Sequence, residues 1–76
     1  MAIDYSALIP DSQKKDILLA RQQQFALEAW QHDMNLTAAT ATGDTEVVDV
    51  STAALVTLDS ALATVADELA KLPAVV

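Results

Sequence analysis

The sequence predicts an all-α protein in which two helices form an antiparallel, coiled-coil-like hairpin, with an extended N-terminal arm and a short C-terminal tail. Three observations favour this fold. The chain has one glycine, Gly43, and it lies between two long stretches of helix-forming residues. The second stretch carries an apolar heptad repeat. Fifteen alanines, the residue with the highest helix propensity, are spread along the chain.

The first helix is predicted at about residues 10–41. Pro10 suits the first helical turn because an N–H has no intrahelical partner there, and a carboxylate at Asp11 favours the positive helix end. Good helix formers dominate as far as Leu36, whereas the segment TAATAT (37–42) has lower helix propensity. We therefore expect fraying or a slight irregularity in that segment.

A turn is predicted at residues 42–44. Gly43 stands where a helix needs a left-handed C-terminal cap, and Asp44 is an N-cap candidate followed by Glu46 in the next first turn. A connection this short makes the two helices antiparallel neighbours.

The second helix is predicted at about residues 45–72, ending at Pro73, and it carries the clearest periodicity in the chain. Apolar residues recur at the two alternating positions of a heptad, with a single polar interruption at Ser51. The two sets are Val48, Leu55, Leu62 and Leu69, and Ser51, Leu58, Val65 and Leu72. This pattern is typical of a coiled-coil seam. VVDV (47–50) also suits a short strand, but the unbroken heptad favours helix.

The first helix carries two apolar stripes rather than one. The first contains Leu18, Gln22, Phe25, Ala29, His32 and Leu36, and the second contains Leu19, Ala26, Leu27, Trp30, Met34 and Ala38. One antiparallel partner covers only about a third of a helix, so the second stripe needs another partner. Two interpretations of Trp30, Met34 and Phe25 stay open: an anchor for another protein, or the core between the two helices.

The terminal segments are predicted to lie against a neighbouring surface. Residues 1–9 form the arm, and its large apolar side chains are Ile3, Tyr5, Leu8 and Ile9. A frayed terminus is the alternative for this segment. Residues 73–76 form the tail. Together with Leu72 they make up the apolar ending LPAVV (72–76).

Size and charge narrow the possible partners. A chain of 76 residues without cysteine forms one domain at most, and it is marginally stable unless it associates with something. The net charge is −7, and the only basic residues are at positions 14, 15, 21 and 71, so we expect no nucleic-acid partner. We expect no apolar stretch of membrane-spanning length, no signal peptide and no membrane partner.

No pattern in the sequence indicates catalysis. His32 cannot form a zinc site alone, and the clusters Asp44-Glu46-Asp49 and Asp67-Glu68 lack the Glu-x-x-His element of a di-iron bundle. We interpret the clusters as helix-start charge and a solvated face. Lys14 and Lys15 either contact an acidic partner or lie in solvent. We expect no enzyme, catalytic residue, cofactor, metal or small-molecule substrate.

Three segments resemble short helical-hairpin proteins of tailed bacteriophages. They are FALEAWQHDMNLTAA (25–39), ATGDTE (41–46) and LDSALATVADEL (58–69), and the likeness extends from Arg21 to Leu69. The resemblance implies a component or accessory of the virion, in its tail, baseplate or capsid surface. It carries no functional residues over to this chain.

Two hypotheses follow from the sequence. The first is a non-enzymatic structural protein of the virion, made in the bacterial host cytoplasm, that forms a trimer or larger homo-oligomer and docks on other virion proteins. The second is a small acidic regulatory module that inhibits or chaperones a host or phage protein. The residues expected at the helix seam and the docking surface are Leu18, Phe25, Trp30, Met34, Leu36, Val48, Leu55, Leu58, Leu62, Val65, Leu69 and Leu72.

Overall fold

The computed structural model describes residues 3–73, and three helical segments follow one another in that range. A single 3-10 turn spans Tyr5–Leu8, helix α1 spans Asp11–Thr42 and helix α2 spans Thr45–Lys71. The two long helices pack against each other as an antiparallel hairpin, which confirms the predicted fold class. The VVDV segment (47–50) lies inside α2 and is helical.

The reversal between the helices depends on Gly43 and Asp44. Gly43 has φ 75° and ψ 22°, a left-handed conformation that costs glycine nothing because it has no Cβ. The N–H groups of Gly43 and Asp44 both donate to the carbonyl of Ala39, the latter at 2.9 Å. The Asp44 carboxylate then accepts the N–H of Val47 at 3.2 Å and caps α2. Both predicted cap roles are confirmed.

The segment 37–42 is regular helix, so the irregularity expected there was wrong. The hydroxyls of Thr37, Thr40 and Thr42 donate to carbonyls four residues earlier, at 2.9, 2.8 and 3.1 Å. Ala39, in the middle of this segment, is only 5% exposed. Burial of Ala39 and the Schellman-like bonds at Gly43 outweigh the modest propensity cost of threonine.

Both long helices are bounded by prolines. Pro10 is the N-cap of α1 rather than its first helical residue, with φ −61° and ψ 150°, and its carbonyl accepts the N–H of Lys14. At the other end, Leu72 is extended (φ −72°, ψ 139°) because the ring of Pro73 disfavours helical geometry in the preceding residue. Helix α2 therefore ends at Lys71. Residues 1, 2 and 74–76 of the predicted arm and tail lie outside the described residues.

The arm is not extended throughout, in contrast to the prediction. The Asp4 carboxylate accepts the N–H of Ala7 at 3.3 Å, which closes the 3-10 turn at Tyr5–Leu8. Ile9 then returns to extended backbone with φ −109° and ψ 123°, and it leads the chain into Pro10. Asp4, a typical capping residue, is the local signal for this turn.

The molecule is one helical layer thick. Its principal extents reach 51 Å along the helices and 14 Å in the thinnest direction. The radius of gyration is 16.9 Å, whereas a compact chain of this length would have about 11 Å. No third element of the described chain covers the outer sides of the helices, so each helix has a single helical neighbour.

The core is the seam between the two helices. Its most buried residues are Ala39, Ser51, Leu58 and Val65, with exposures of 5, 2, 8 and 6%. Residues equally far from the turn lie at the same level of antiparallel helices. Ala29 is therefore level with Leu58, and Gln22 with Val65. A small or unbranched side chain on α1 thus lies level with a bulky one on α2, which lets the helices approach closely.

Gly43→Ala should destabilise the hairpin by about 1–2 kcal/mol, because an L-residue pays this cost in the left-handed region. No atom outside the adjoining residues lies within 4 Å of an added Cβ, so the effect should come from the backbone alone. Urea denaturation followed by circular dichroism measures it. Gly43→Asn is the matched control, since asparagine tolerates this conformation and should lose less. Equal stability of the alanine variant and the native chain would contradict this account of the turn.

Leu58→Ala should cost about 2–5 kcal/mol, because it leaves a cavity in the middle of the seam. Val56→Ala removes a side chain that is 62% exposed on the same helix, and it should change stability by less than about 0.5 kcal/mol. Thermal denaturation of both variants makes the comparison. Similar losses in the two variants would mean that the seam does not hold the helices together.

Candidate interaction surface

The second apolar stripe of α1 lies on the side of the helix that α2 does not cover. We call this stripe the outer face, and it consists of Leu19, Ala26, Leu27, Trp30, Met34 and Ala38. Leu19, Leu27, Trp30 and Met34 are 43, 56, 60 and 40% exposed, and both alanines are exposed as well. The outer face is therefore an apolar strip open to solvent along most of α1.

Trp30 and Met34 do not belong to the core between the helices, so that interpretation was wrong for both residues. Trp30 follows Phe25 by five positions, which places the two side chains about 140° apart around the helix. Phe25 is half-buried on the side of α2, whereas Trp30 and Met34 point away from it.

The remaining predicted seam residues are all buried or half-buried in the hairpin. Those on α1 are Leu18, Phe25 and Leu36, and those on α2 and its C-cap are Val48, Leu55, Leu58, Leu62, Val65, Leu69 and Leu72. Their roles in docking stay a prediction. Ala39 was missed, although it follows Leu36 by three positions on the same stripe. Glu28 and Lys14 also lie half-buried beside the seam.

The outer face carries no charge between Ala20 and Thr42. The ionisable residues of that part of α1 are Arg21, Glu28, His32 and Asp33. Glu28 and His32 are half-buried on the seam side, and Arg21 lies about 40° from Phe25 around the helix. Asp33 is exposed and lies about 60° from Trp30 and 20° from Ala26, so it borders the outer face. The six members of the outer face are thus uncharged in a chain with net charge −7, and a carboxylate borders them on one side only.

Charge is distributed unequally along the hairpin. We call the end at Gly43 the turn end and the opposite end the open end. The open half holds every basic residue, namely Lys14, Lys15, Arg21 and Lys71, together with Asp4, Asp11, Asp16, Asp67 and Glu68. The turn end holds four carboxylates and no base, and these are Asp33, Asp44, Glu46 and Asp49. The hairpin is therefore nearly neutral at its open end and strongly acidic at its turn end.

Two ion pairs lie at the open end. Lys14 Nζ is 3.9 Å from Asp11, and Lys71 Nζ donates to Glu68 Oε1 at 3.0 Å. The hydrogen bond to Glu68 raises the pKa of Lys71 above its ordinary 10.5, and the charge of Glu68 adds to this effect. Because the folded-state pKa is the higher one, any stabilisation is complete below pH 10.5 and is lost as the pH rises through the folded-state pKa. Both side chains are solvent-exposed, so this pair has little influence at neutral pH.

The arm and the ends of both helices form a groove of about 340 Å³ at the open end. Ile9, Leu18 and Leu72 supply apolar lining, and Lys14 and Lys71 supply charge. Of the predicted arm contacts, Ile9 is half-buried and Tyr5 borders the groove. Ile3, Tyr5 and Leu8 are each about three-quarters exposed. The arm therefore contacts the hairpin mainly through Ile9.

The described residues contain no group of three His, Asp or Glu side chains placed to hold a metal ion. Across residues 3–73, no buried side-chain nitrogen or oxygen lacks a hydrogen-bond partner. His32 is half-buried on the seam beside α2 and not in an enclosed cavity. The outer face is thus the feature of this surface with the clearest potential for binding. It offers apolar contact rather than catalytic or metal-binding groups.

Helix α2 is long and apolar enough to cross a membrane by length and composition, so the expectation that no stretch reaches that length was wrong. The core helix of a water-soluble protein passes the same test. Asp59 lies in the middle of α2, where a carboxylate at the centre of a bilayer costs about 2.5–3.5 kcal/mol. Only 11% of this apolar window is buried, and Val50 and Val56 are each 62% exposed, so α2 is not a mostly buried core helix.

In comparisons with known proteins, no family model, curated protein or solved structure matches the chain. The functional interpretation therefore depends on the residues themselves and on their placement in the hairpin.

Glu68→Gln should lower the pKa of Lys71 towards 10.5, because the amide accepts a hydrogen bond but removes the negative charge. NMR titration of the Lys71 side chain measures the shift. Asp67→Gln is the matched control, since Asp67 contributes least of the carboxylates acting on Lys71. An equal shift in both variants would mean that the hydrogen bond to Glu68 is not the main cause.

Proposed function

We propose that this chain is a non-enzymatic structural protein that associates with copies of itself and docks on a larger assembly. One observation carries the proposal. Helix α1 has apolar residues on two sides, and α2 covers only one of them, so Leu27, Trp30 and Met34 remain in solvent. Burial of such side chains drives most protein association.

The surface area of the chain supports association. The accessible surface is 5807 Å², whereas a globular monomer of 8.1 kDa exposes about 4,500 Å². The difference of about 1,300 Å² exceeds the roughly 800 Å² that each partner buries in an interface of standard size. An assembly could therefore bring the exposed area close to that of an ordinary folded protein.

The assembly that we propose is a bacteriophage virion, with the protein made in the cytoplasm of the bacterial host. The support is the resemblance of residues 25–39, 41–46 and 58–69 to hairpin proteins of tailed phages. In this proposal the arm docks on other virion proteins through Ile3, Tyr5 and Leu8, whose side chains the hairpin leaves exposed. Three or more copies are expected, as the sequence suggested.

A regulatory binding module is the second candidate, and a different observation favours it. The turn end gathers Asp33, Asp44, Glu46 and Asp49 without a basic residue. Such a surface suits a basic protein target, and its binding would weaken with salt. This function would require the acidic turn end to stay accessible and would not require self-association.

Trp30→Glu should weaken self-association by at least about thirtyfold, because it removes a central aromatic and places a charge in each copy of the contact. Sedimentation equilibrium measures the association, with circular dichroism on the same samples to follow helicity. Gln24→Glu is the matched control, since it adds the same charge on an exposed flank of α1 and should leave the mass unchanged. A native chain that is monomeric at micromolar concentration would contradict the structural proposal and favour the regulatory module.

A further inference from the structure

We propose that the outer faces of two copies pack against each other in antiparallel orientation, about a twofold axis close to Trp30, so that the unit of assembly is a dimer. This inference rests on the proposed function and names its partner surface. A twofold contact uses the same patch on both subunits, so the patch must be complementary to itself. The outer face meets this requirement because its six members are apolar and uncharged, with Asp33 at one border.

The net charge of the chain limits how a second copy can cover the outer face. Two chains of charge −7 repel each other wherever their acidic groups meet. On α1 beyond Arg21 the carboxylates belong to Glu28, which lies beside the seam, and to Asp33, which lies at the exposed border of the outer face. A second copy can therefore bury the apolar members of this face while the Asp33 carboxylates stay at its solvent-exposed border.

A membrane surface fits the outer face less well. Helices that lie on membranes carry Lys or Arg along the borders of their apolar face, where these residues meet anionic headgroups. The basic residues of α1 are Lys14, Lys15 and Arg21, and α1 has none beyond Arg21. The most apolar part of the outer face, Leu27 to Met34, thus has no basic border.

The charges at the two ends of the hairpin select the orientation. A parallel pair would place two acidic turn ends side by side, with four carboxylates on each and no base. An antiparallel pair places each turn end beside the open end of the other copy, where four basic residues offset five carboxylates and the net charge is close to zero. Exposed charges set orientation more than affinity, and the apolar strip supplies the affinity.

The order of side chains along the outer face suits this pairing. With the axis close to Trp30, Leu27 of one copy is opposite Met34 of the other, and Gln23 is opposite Ala38. The large side chains meet at the centre, where hot-spot residues concentrate, and smaller or polar ones lie towards the ends.

The absence of cysteine from the chain makes the contact testable by disulfide formation. Leu27→Cys and Met34→Cys are made in chains of different mass and are mixed before oxidation. Both positions are exposed, at 56 and 40%, so the seam should remain intact. We expect the mixed disulfide to exceed either homodimer by about tenfold, because only opposite positions bring the two Cα atoms within roughly 4.4–6.8 Å. Gln24→Cys, on the flank of α1, is the control and should cross-link with neither.

Other cross-linking results would overturn the inference. A dominant Leu27→Cys homodimer would indicate a parallel pair or a ring, and dominant cross-linking at Gln24→Cys would place the contact on another face. An association of native chains with no cross-link at these positions would overturn the outer-face contact and leave the proposed self-assembly standing. A native chain that stays monomeric would overturn both.

The native chain provides a second measurement that needs no variant. Trp30 is the only tryptophan, so its fluorescence reports the centre of the proposed contact. As concentration rises, its emission should move to shorter wavelength in step with an increase in mass to an even number of copies. A dimer that associates no further would support the twofold contact and contradict the three or more copies of the proposed function. An odd-numbered assembly, or a rise in mass with unchanged tryptophan emission, would overturn the twofold contact.

Discussion

A helix with a single neighbour can bury only one stripe of its surface, and the rest of this structure follows from that constraint. Each long helix covers one side of the other, so the core is a line of residues rather than a volume. Its most buried members are an alanine and a serine, Ala39 and Ser51, beside Leu58 and Val65. Side chains of this size bury little apolar area, which explains why so slender a molecule has much to gain from association.

The same constraint separates the two kinds of apolar residue on α1. Phe25 and Leu36 contribute to the intrachain seam, whereas Leu27, Trp30 and Met34 face outwards. The charged residues follow the same division between the seam and the outer face. Acidic and basic groups occupy the flanks and the two ends of the hairpin, and they leave the middle of the outer face apolar. A hairpin built in this way has one apolar surface buried between its helices and another exposed to solvent, and a substitution on one can be made without touching the other.

Much of the fold was predictable because its determinants are local. The heptad from Val48 to Leu72 identified the buried side of α2, and Gly43 with Asp44 identified the reversal, since a left-handed cap and a carboxylate N-cap have clear residue preferences. The arm was harder, because the 3-10 turn depends on a single side-chain contact from Asp4. The candidate surface was predicted only in part. Periodicity identified two stripes on α1, but it could not assign Trp30 and Met34 to the outer one. Both stripes are apolar, so the sequence of α1 alone does not indicate which of them packs against α2.

The tight connection also sets the order in which the seam can close. Residues beside the turn, such as Leu36 and Ser51, are close in the chain, whereas Leu18 and Leu69 at the far end are separated by most of its length. The entropy lost in bringing two residues together grows with the logarithm of their separation, so contact should begin at Gly43 and progress outwards like a zipper. The last turns to pair in folding, and the first to open, are then those beside the arm. Local opening of the hairpin would in this way start at the end that carries every basic residue, and the acidic reversal would be the last part to come apart.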